Sequence, residues 1–90
     1  MLQFQIVVTG RVQGVGYRYY AQMKAVQNAI TGWVKNRPDG AVEMLTTGTK
    51  ENLDLFINDI RRGNPFSTVD QIEVNEVNNT ETYTSFTIKY

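Results

Sequence analysis

The chain has neither cysteine nor histidine. The first absence removes thiolate nucleophiles and the softest metal ligands, and the second removes the commonest general base near neutral pH. Charge of either sign is also missing in excess. Lys plus Arg number 9 and Asp plus Glu number 9, so the net charge is zero, and no run of like charge breaks the balance. Nucleic acid is therefore not an expected partner, because neutralising a phosphate backbone needs a surplus of cations on one face. No apolar run approaches membrane-spanning length, and no charged leader precedes an apolar stretch, so the expectation is a cytoplasmic protein without membrane contact. Chemistry must come from arginine, lysine, amides, hydroxyls or carboxylates. The 90 residues suffice for one core and not for two, so residues 1–90 read as one domain with one site.

Phe4, Ile6 and Val8 alternate with Gln5, Val7 and Thr9, the period of a half-buried strand over residues 4–12. A glycine-bearing stretch, Gly10 to Gly16, leads to residues 17–28, a segment free of breakers that reads as a helix with Tyr17, Tyr20, Ala21 and Ala25 on its apolar side. Residues 30–36 and 41–47 are strand-like runs joined by Arg37-Pro38-Asp39-Gly40, where proline presets the first turn dihedral and glycine accepts positive φ. Thr49 is a candidate N-cap for a second helix. Its Leu53, Phe56, Ile57 and Ile60 form one apolar stripe, and Gly63 ends it. Residues 69–77 and 83–90 alternate again, with Asn78-Asn79-Thr80 offering turn chemistry between them.

The order is βαββαβ plus a closing strand. Neither helix can bury its stripe alone, so both are expected to cover one face of an antiparallel sheet, giving an α+β, ferredoxin-like sandwich.

Between the first strand and the first helix lies Gly10-Arg11-Val12-Gln13-Gly14-Val15-Gly16-Tyr17-Arg18. Gly14 and Gly16 let the backbone turn sharply and approach a ligand, and no Ser, Thr, Asp or Asn stands before Tyr17 to cap the helix. The uncapped N–H groups suit an anion. Arg18 in the first turn opposes the helix dipole by about 0.3 to 1 kcal/mol, a conflict that a bound oxyanion removes, and its planar fork can take two oxygens of one phosphate. The same glycines would also serve a plain strand-to-helix turn with Arg18 in solvent. The P-loop lysine and hydroxyl pair is absent, so any ligand would be a small phosphate group.

Asn36 closes the strand Gly32-Trp33-Val34-Lys35-Asn36, where its carboxamide could hold a water by one atom and touch a phosphate by the other, or simply serve the turn. Trp33 reads as core, and Gly32 as a point of close packing or a bulge. Tyr17, Tyr19 and Tyr20 fit packing better than a stacking platform. Asp54, Asp59, Asp70, Glu73 and Glu76 read as solvated faces, and they compose no metal constellation.

Taken together, Gly10-x-Val12-Gln13-Gly14-Val15-x-Tyr17-Arg18 and Gly32-Trp33-Val34-Lys35-Asn36-x-x-x-Gly40-x-Val42 with Gly48 resemble the two signatures of the acylphosphatase family, and Ser85-Phe86-Thr87-Ile88-Lys89-Tyr90 resembles its closing strand. The resemblance implies hydrolysis of acyl phosphates to a carboxylate and inorganic phosphate, without metal or cofactor, by a monomer. It maps the catalytic residues onto Arg18 and Asn36. The phosphate cradle maps onto Gln13, Gly14, Val15, Gly16, Tyr17 and Arg18. Two positions depart from the pattern. Tyr17 stands where the family more often has Phe, which is expected to add a hydroxyl near the loop. Asn28-Ala29 replaces the usual Leu-Gly, with Asn28 expected to tolerate the left-handed φ that ends the helix. The rival reading is a silent ferredoxin-like anion binder, since fold alone does not fix function. An RNA module is disfavoured because residues 41–48 contain no aromatic, and a metal carrier because there is no cysteine pair.

Overall fold

The computed structural model describes residues 1–78 and 81–90. The elements in chain order are β1 (Leu2–Arg11), α1 (Tyr17–Gln27), β2 (Thr31–Asn36), β3 (Val42–Gly48), α2 (Lys50–Arg62), β4 (Thr68–Glu76) and β5 (Phe86–Lys89). They form one sheet in the order β4-β1-β3-β2-β5. The β1–β3, β1–β4 and β2–β3 pairs are antiparallel, whereas β5 runs parallel to β2, with Val34 opposite Ile88 and Lys35 opposite Lys89. The sheet is thus mixed rather than wholly antiparallel. The period-two pattern of residues 83–90 fixes which face each side chain takes and carries no information on strand direction.

Alternation assigns the faces. Ile6 and Val8 of β1, Val34 of β2, and Val42 and Met44 of β3 join Tyr17, Ala21 and Ala25 of α1 and Leu53, Phe56 and Ile60 of α2 in one buried cluster, so both helices cover the same face. Thr49 caps α2 as its sequence position suggests, accepting a hydrogen bond from Asn52 N–H at 3.1 Å. Gly32 marks a close approach: at φ 136° a Cβ there would stand 1.8 Å from the Leu45 carbonyl oxygen, so only glycine fits against β3.

Three local readings need correction. Trp33 is not core. Val34 faces the helices, so its neighbour must face the other way, and the half-buried indole lies on the open face of the sheet with the Lys35 and Lys89 ammonium groups 5.1 and 4.5 Å from its ring centre. At the end of α1, Asn28 caps the helix at φ −103° and the left-handed residue is Ala29, at φ 56°. Asn28 is used differently, its side-chain amide donating to the Lys24 carbonyl at 2.9 Å and to the Asp59 carboxylate at 3.1 Å. Finally, β4 and β5 occupy opposite edges of the sheet, so the turn chemistry expected between them does not join neighbouring strands. Of the proposed turn Asn78-Asn79-Thr80, the last two residues lie outside the described ones.

Candidate active site

The sheet brings four connections to one end: the loop from β1 to α1, the hairpin between β2 and β3, the turn from α2 to β4, and the residues that follow β5. A cleft of about 170 Å³ opens there, lined by Val12, Gly14, Gly16, Tyr17, Arg18, Tyr19, Asn36, Ile88 and Tyr90. Arg18 and Asn36, 18 positions apart in the chain, therefore face one space.

The loop is built for close backbone approach. Gly14 and Gly16 take φ 72° and 76°, and Gly16 is the N-cap of α1, in left-handed conformation and with no side chain capping the helix. No acidic residue stands in the first turn. The first N–H groups of α1 have no partner within the helix, and they add to a positive end already reinforced by Arg18. One Nη of Arg18 donates to the Lys89 carbonyl at 3.1 Å, and the guanidinium carbon sits 4.8 Å from the centre of the Tyr90 ring. These contacts aim the guanidinium and leave other N–H groups of the fork for a ligand. Asn36, the last residue of β2 and half-buried, contributes a buried Oδ1 without a hydrogen-bond partner among the described residues.

Two loop residues stand outside the cleft lining. Gln13 turns to the hairpin, its side-chain amide donating to the Arg37 and Ala41 carbonyls, each at 2.8 Å, so it ties the loop to the segment that carries Asn36. Val15 packs against the core, and its carbonyl accepts from Asn64 Nδ2 at 2.9 Å. Tyr17 reaches the cleft at the start of α1, but its hydroxyl is not near the loop. It points through the core and donates to the Ile60 carbonyl at 2.7 Å. Burial, with a smaller push from Tyr20, raises its pKa well above the usual tyrosine range. The ring packs 6.0 Å from that of Tyr20, as expected for packing rather than stacking on a ligand. Tyr19, by contrast, is 71% exposed and lines the cleft.

Ile88, Tyr90 and the Lys89 carbonyl belong to this site and were not singled out in the sequence, because their place depends on β5 pairing with β2. Asn64 was missed for a similar reason. Among the described residues no three His, Cys, Asp or Glu side chains are grouped so as to hold a metal ion, and no helix is long and apolar enough to cross a membrane.

Known proteins resemble the chain along its length. The acylphosphatase family model matches residues 4–88. An acylphosphatase of Bacillus licheniformis is 47% identical over 90 residues, with 100% of both chains covered. The crystal structure of acylphosphatase from Bacillus subtilis superimposes with a TM-score of 0.96 at 48% identity, covering 100% of each chain. An acylphosphatase structure from Coxiella burnetii gives 0.91 at 30% identity, covering 98% of this chain and 92% of the other. The family model over residues 4–88, with a sequence and fold shared with these enzymes, makes the chain a member of the acylphosphatase family, a hydrolase of acyl phosphates.

Proposed function

We propose that hydrolysis takes place in the cleft shared by Arg18 and Asn36, with the loop of Gly14, Gly16 and the first N–H groups of α1 holding the phosphoryl oxygens. Arg18 adds a charge-assisted, two-pronged contact to the same oxygens, held in line by the Lys89 carbonyl. Asn36 orients water by its carboxamide. The observation that carries this reading is that Arg18 and Asn36 line one cleft together with Gly14 and Gly16 at the start of α1.

An acyl phosphate is a mixed anhydride with a carboxylate leaving group, so positioning and charge stabilisation can suffice without a strong base. The water oxygen forms a new bond to phosphorus. The bond from phosphorus to the acyl oxygen breaks, and its electron pair leaves on the carboxylate. The water's proton passes to a phosphoryl oxygen of the substrate itself, which accounts for a site without histidine. Residues 1–90 act in this reading as one hydrolase domain, monomeric and cytoplasmic, with a small acyl phosphate as substrate, inorganic phosphate as product and no nucleic acid as partner.

The test is turnover of benzoyl phosphate together with competitive inhibition by inorganic phosphate, in the parent and in two variants. Arg18→Ala should weaken phosphate inhibition and slow catalysis, each lost charge-assisted bond being worth about 1.5 to 3 kcal/mol. Asn36→Ala should lower turnover by at least about a hundredfold, the scale of losing a positioned polar group, while phosphate inhibition changes little. Near-normal turnover in Asn36→Ala, or a loss of phosphate affinity as large as in Arg18→Ala, would remove the water-positioning role.

A further inference from the structure

Beside the loop, and outside the cleft lining, Asn64 opens the turn between α2 and β4. The turn is clamped on itself. Asn64 N–H donates to the Ser67 hydroxyl at 3.0 Å, that hydroxyl donates back to the Asn64 carbonyl at 3.0 Å, and Ser67 N–H donates to the same carbonyl at 3.1 Å. Pro65 within it has its φ fixed by the ring. The Asn64 backbone is thus fixed, and from it the side chain reaches the phosphate loop. Nδ2 donates to the Val15 carbonyl at 2.9 Å and lies 3.8 Å from where a Cβ on Gly16 would stand, so the amide rests against the peptide joining Val15 to Gly16.

Its other end is unsatisfied, since Oδ1 is buried with no partner among the described residues. Among the described residues, the hydrogen bond this side chain makes is therefore the donor's, to the Val15 carbonyl.

What that donor fixes follows from peptide geometry. The peptide between Val15 and Gly16 is trans, so its carbonyl and its N–H point in opposite directions. Gly16 lines the cleft, whereas Val15 and Asn64 do not, so holding the Val15 carbonyl toward Asn64 turns the Gly16 N–H away from Asn64, the direction in which a cleft ligand would meet it. Such a restraint is needed here. Gly14 and Gly16 flank Val15, both at positive φ, and glycine rotates at low cost, so this peptide could turn over and present a carbonyl to an anion instead. We infer that Asn64 is a positioning residue of the enzyme: it holds the peptide between Val15 and Gly16 in the orientation that offers the Gly16 N–H to the phosphoryl group. The inference rests on the reading of the loop as the phosphate site.

The experiment compares Asn64→Ala and Asn64→Asp with the parent and with Arg18→Ala, measuring kcat and KM for benzoyl phosphate, the inhibition constant of phosphate, and thermal stability. Asn64→Asp keeps the volume and the clamped turn and removes the donor. Both Asn64 variants should raise KM and the phosphate inhibition constant by about tenfold, while kcat changes less than about threefold, because the Gly16 contact is made to ground state and transition state alike. In a phosphate titration followed by amide NMR, the Gly16 resonance should move in the parent and move less in either variant. Unchanged KM and inhibition constant in a destabilised variant, a fall in kcat alone, or a parent Gly16 resonance indifferent to phosphate would each overturn the assignment. If Arg18→Ala keeps full phosphate inhibition, the loop is not the phosphate site and both readings fall. If Arg18→Ala weakens inhibition and the Asn64 variants do not, only the role of Asn64 fails.

Discussion

At the scale of single residues, two polar side chains that sequence reasoning would place together have separate tasks. Arg18 carries charge to the cleft, so Arg18→Lys should restore only part of the phosphate affinity lost in Arg18→Ala, a point charge lacking the planar fork. Equal inhibition constants for lysine and arginine would show that geometry is irrelevant there. Tyr17 carries a buried hydroxyl instead, and its behaviour with pH follows from the direction of its shift. Because burial raises its folded pKa above the reference value of 10.0, the folded state keeps a proton that the unfolded chain gives up. The resulting stability is complete below about pH 10 and is lost as pH rises beyond it, by up to about 1.4 kcal/mol per pH unit for this one group. Tyr20 is shifted in the same direction, chiefly by burial. Urea unfolding at pH 9 and pH 11 should therefore show a smaller loss in Tyr17→Phe than in the parent. At pH 8 the same variant should be less stable by about 1 to 3 kcal/mol, since the Ile60 carbonyl is left unpaired. An identical pH slope in parent and variant would disprove the link.

The elements are where sequence pattern and packing meet. The stripe of α2 is buried as its spacing predicts, with Leu53, Phe56 and Ile60 at 0% exposure and Ile57 packed at the margin. Phe56 also meets Phe86 of β5 with ring centres 6.0 Å apart, so it links the helix to the strand whose end holds Arg18. Phe56→Ala should cost about 3 to 5 kcal/mol by denaturant unfolding, with activity per folded molecule retained. A variant of parental stability would mean that this helix does not sit on the sheet as described. The end of α1 offers the opposite experiment. Ala29 occupies φ 56°, a left-handed position where a Cβ is strained, so Ala29→Gly should stabilise the chain by up to about 1 kcal/mol after the extra freedom of the unfolded glycine is discounted. Destabilisation on calorimetry would show that the strain is relieved by its surroundings.

For the molecule as a whole, ligand linkage supplies the test. Phosphate at ten times its dissociation constant should add about 1.4 kcal/mol to stability, visible as a raised thermal midpoint, and Arg18→Ala should lose most of that gain. EDTA should leave turnover of benzoyl phosphate unchanged, and an alkyl phosphate monoester, with its poorer leaving group, should be a poor substrate. Activity abolished by EDTA and restored by a divalent cation would refute the mechanism.

The local features were legible in the sequence because each is dictated by neighbours along the chain. Thr49 before a 0, 3, 4, 7 stripe makes a capped helix, Arg37-Pro38-Asp39-Gly40 makes a hairpin with Arg37 N–H bonded to the Ala41 carbonyl at 2.8 Å, and Gly14 with Gly16 makes a loop that nothing caps. Arg18 and Asn36 could be named from the two motifs that those elements carry. Contacts between distant segments could not be read in this way. A period of two assigns side chains to faces but does not choose a strand's partner or direction, so the parallel docking of β5 on β2, and with it the hold of Lys89 and Tyr90 on Arg18, waited for the sheet to assemble. The same holds for Trp33, whose face was decided by Val34 entering the core. Asn64 meets Val15 across 49 positions of chain, a contact that neither local propensity nor turn chemistry encodes. Tertiary structure alone decided it, because closing so long a loop gains its contacts only once both helices have found the sheet.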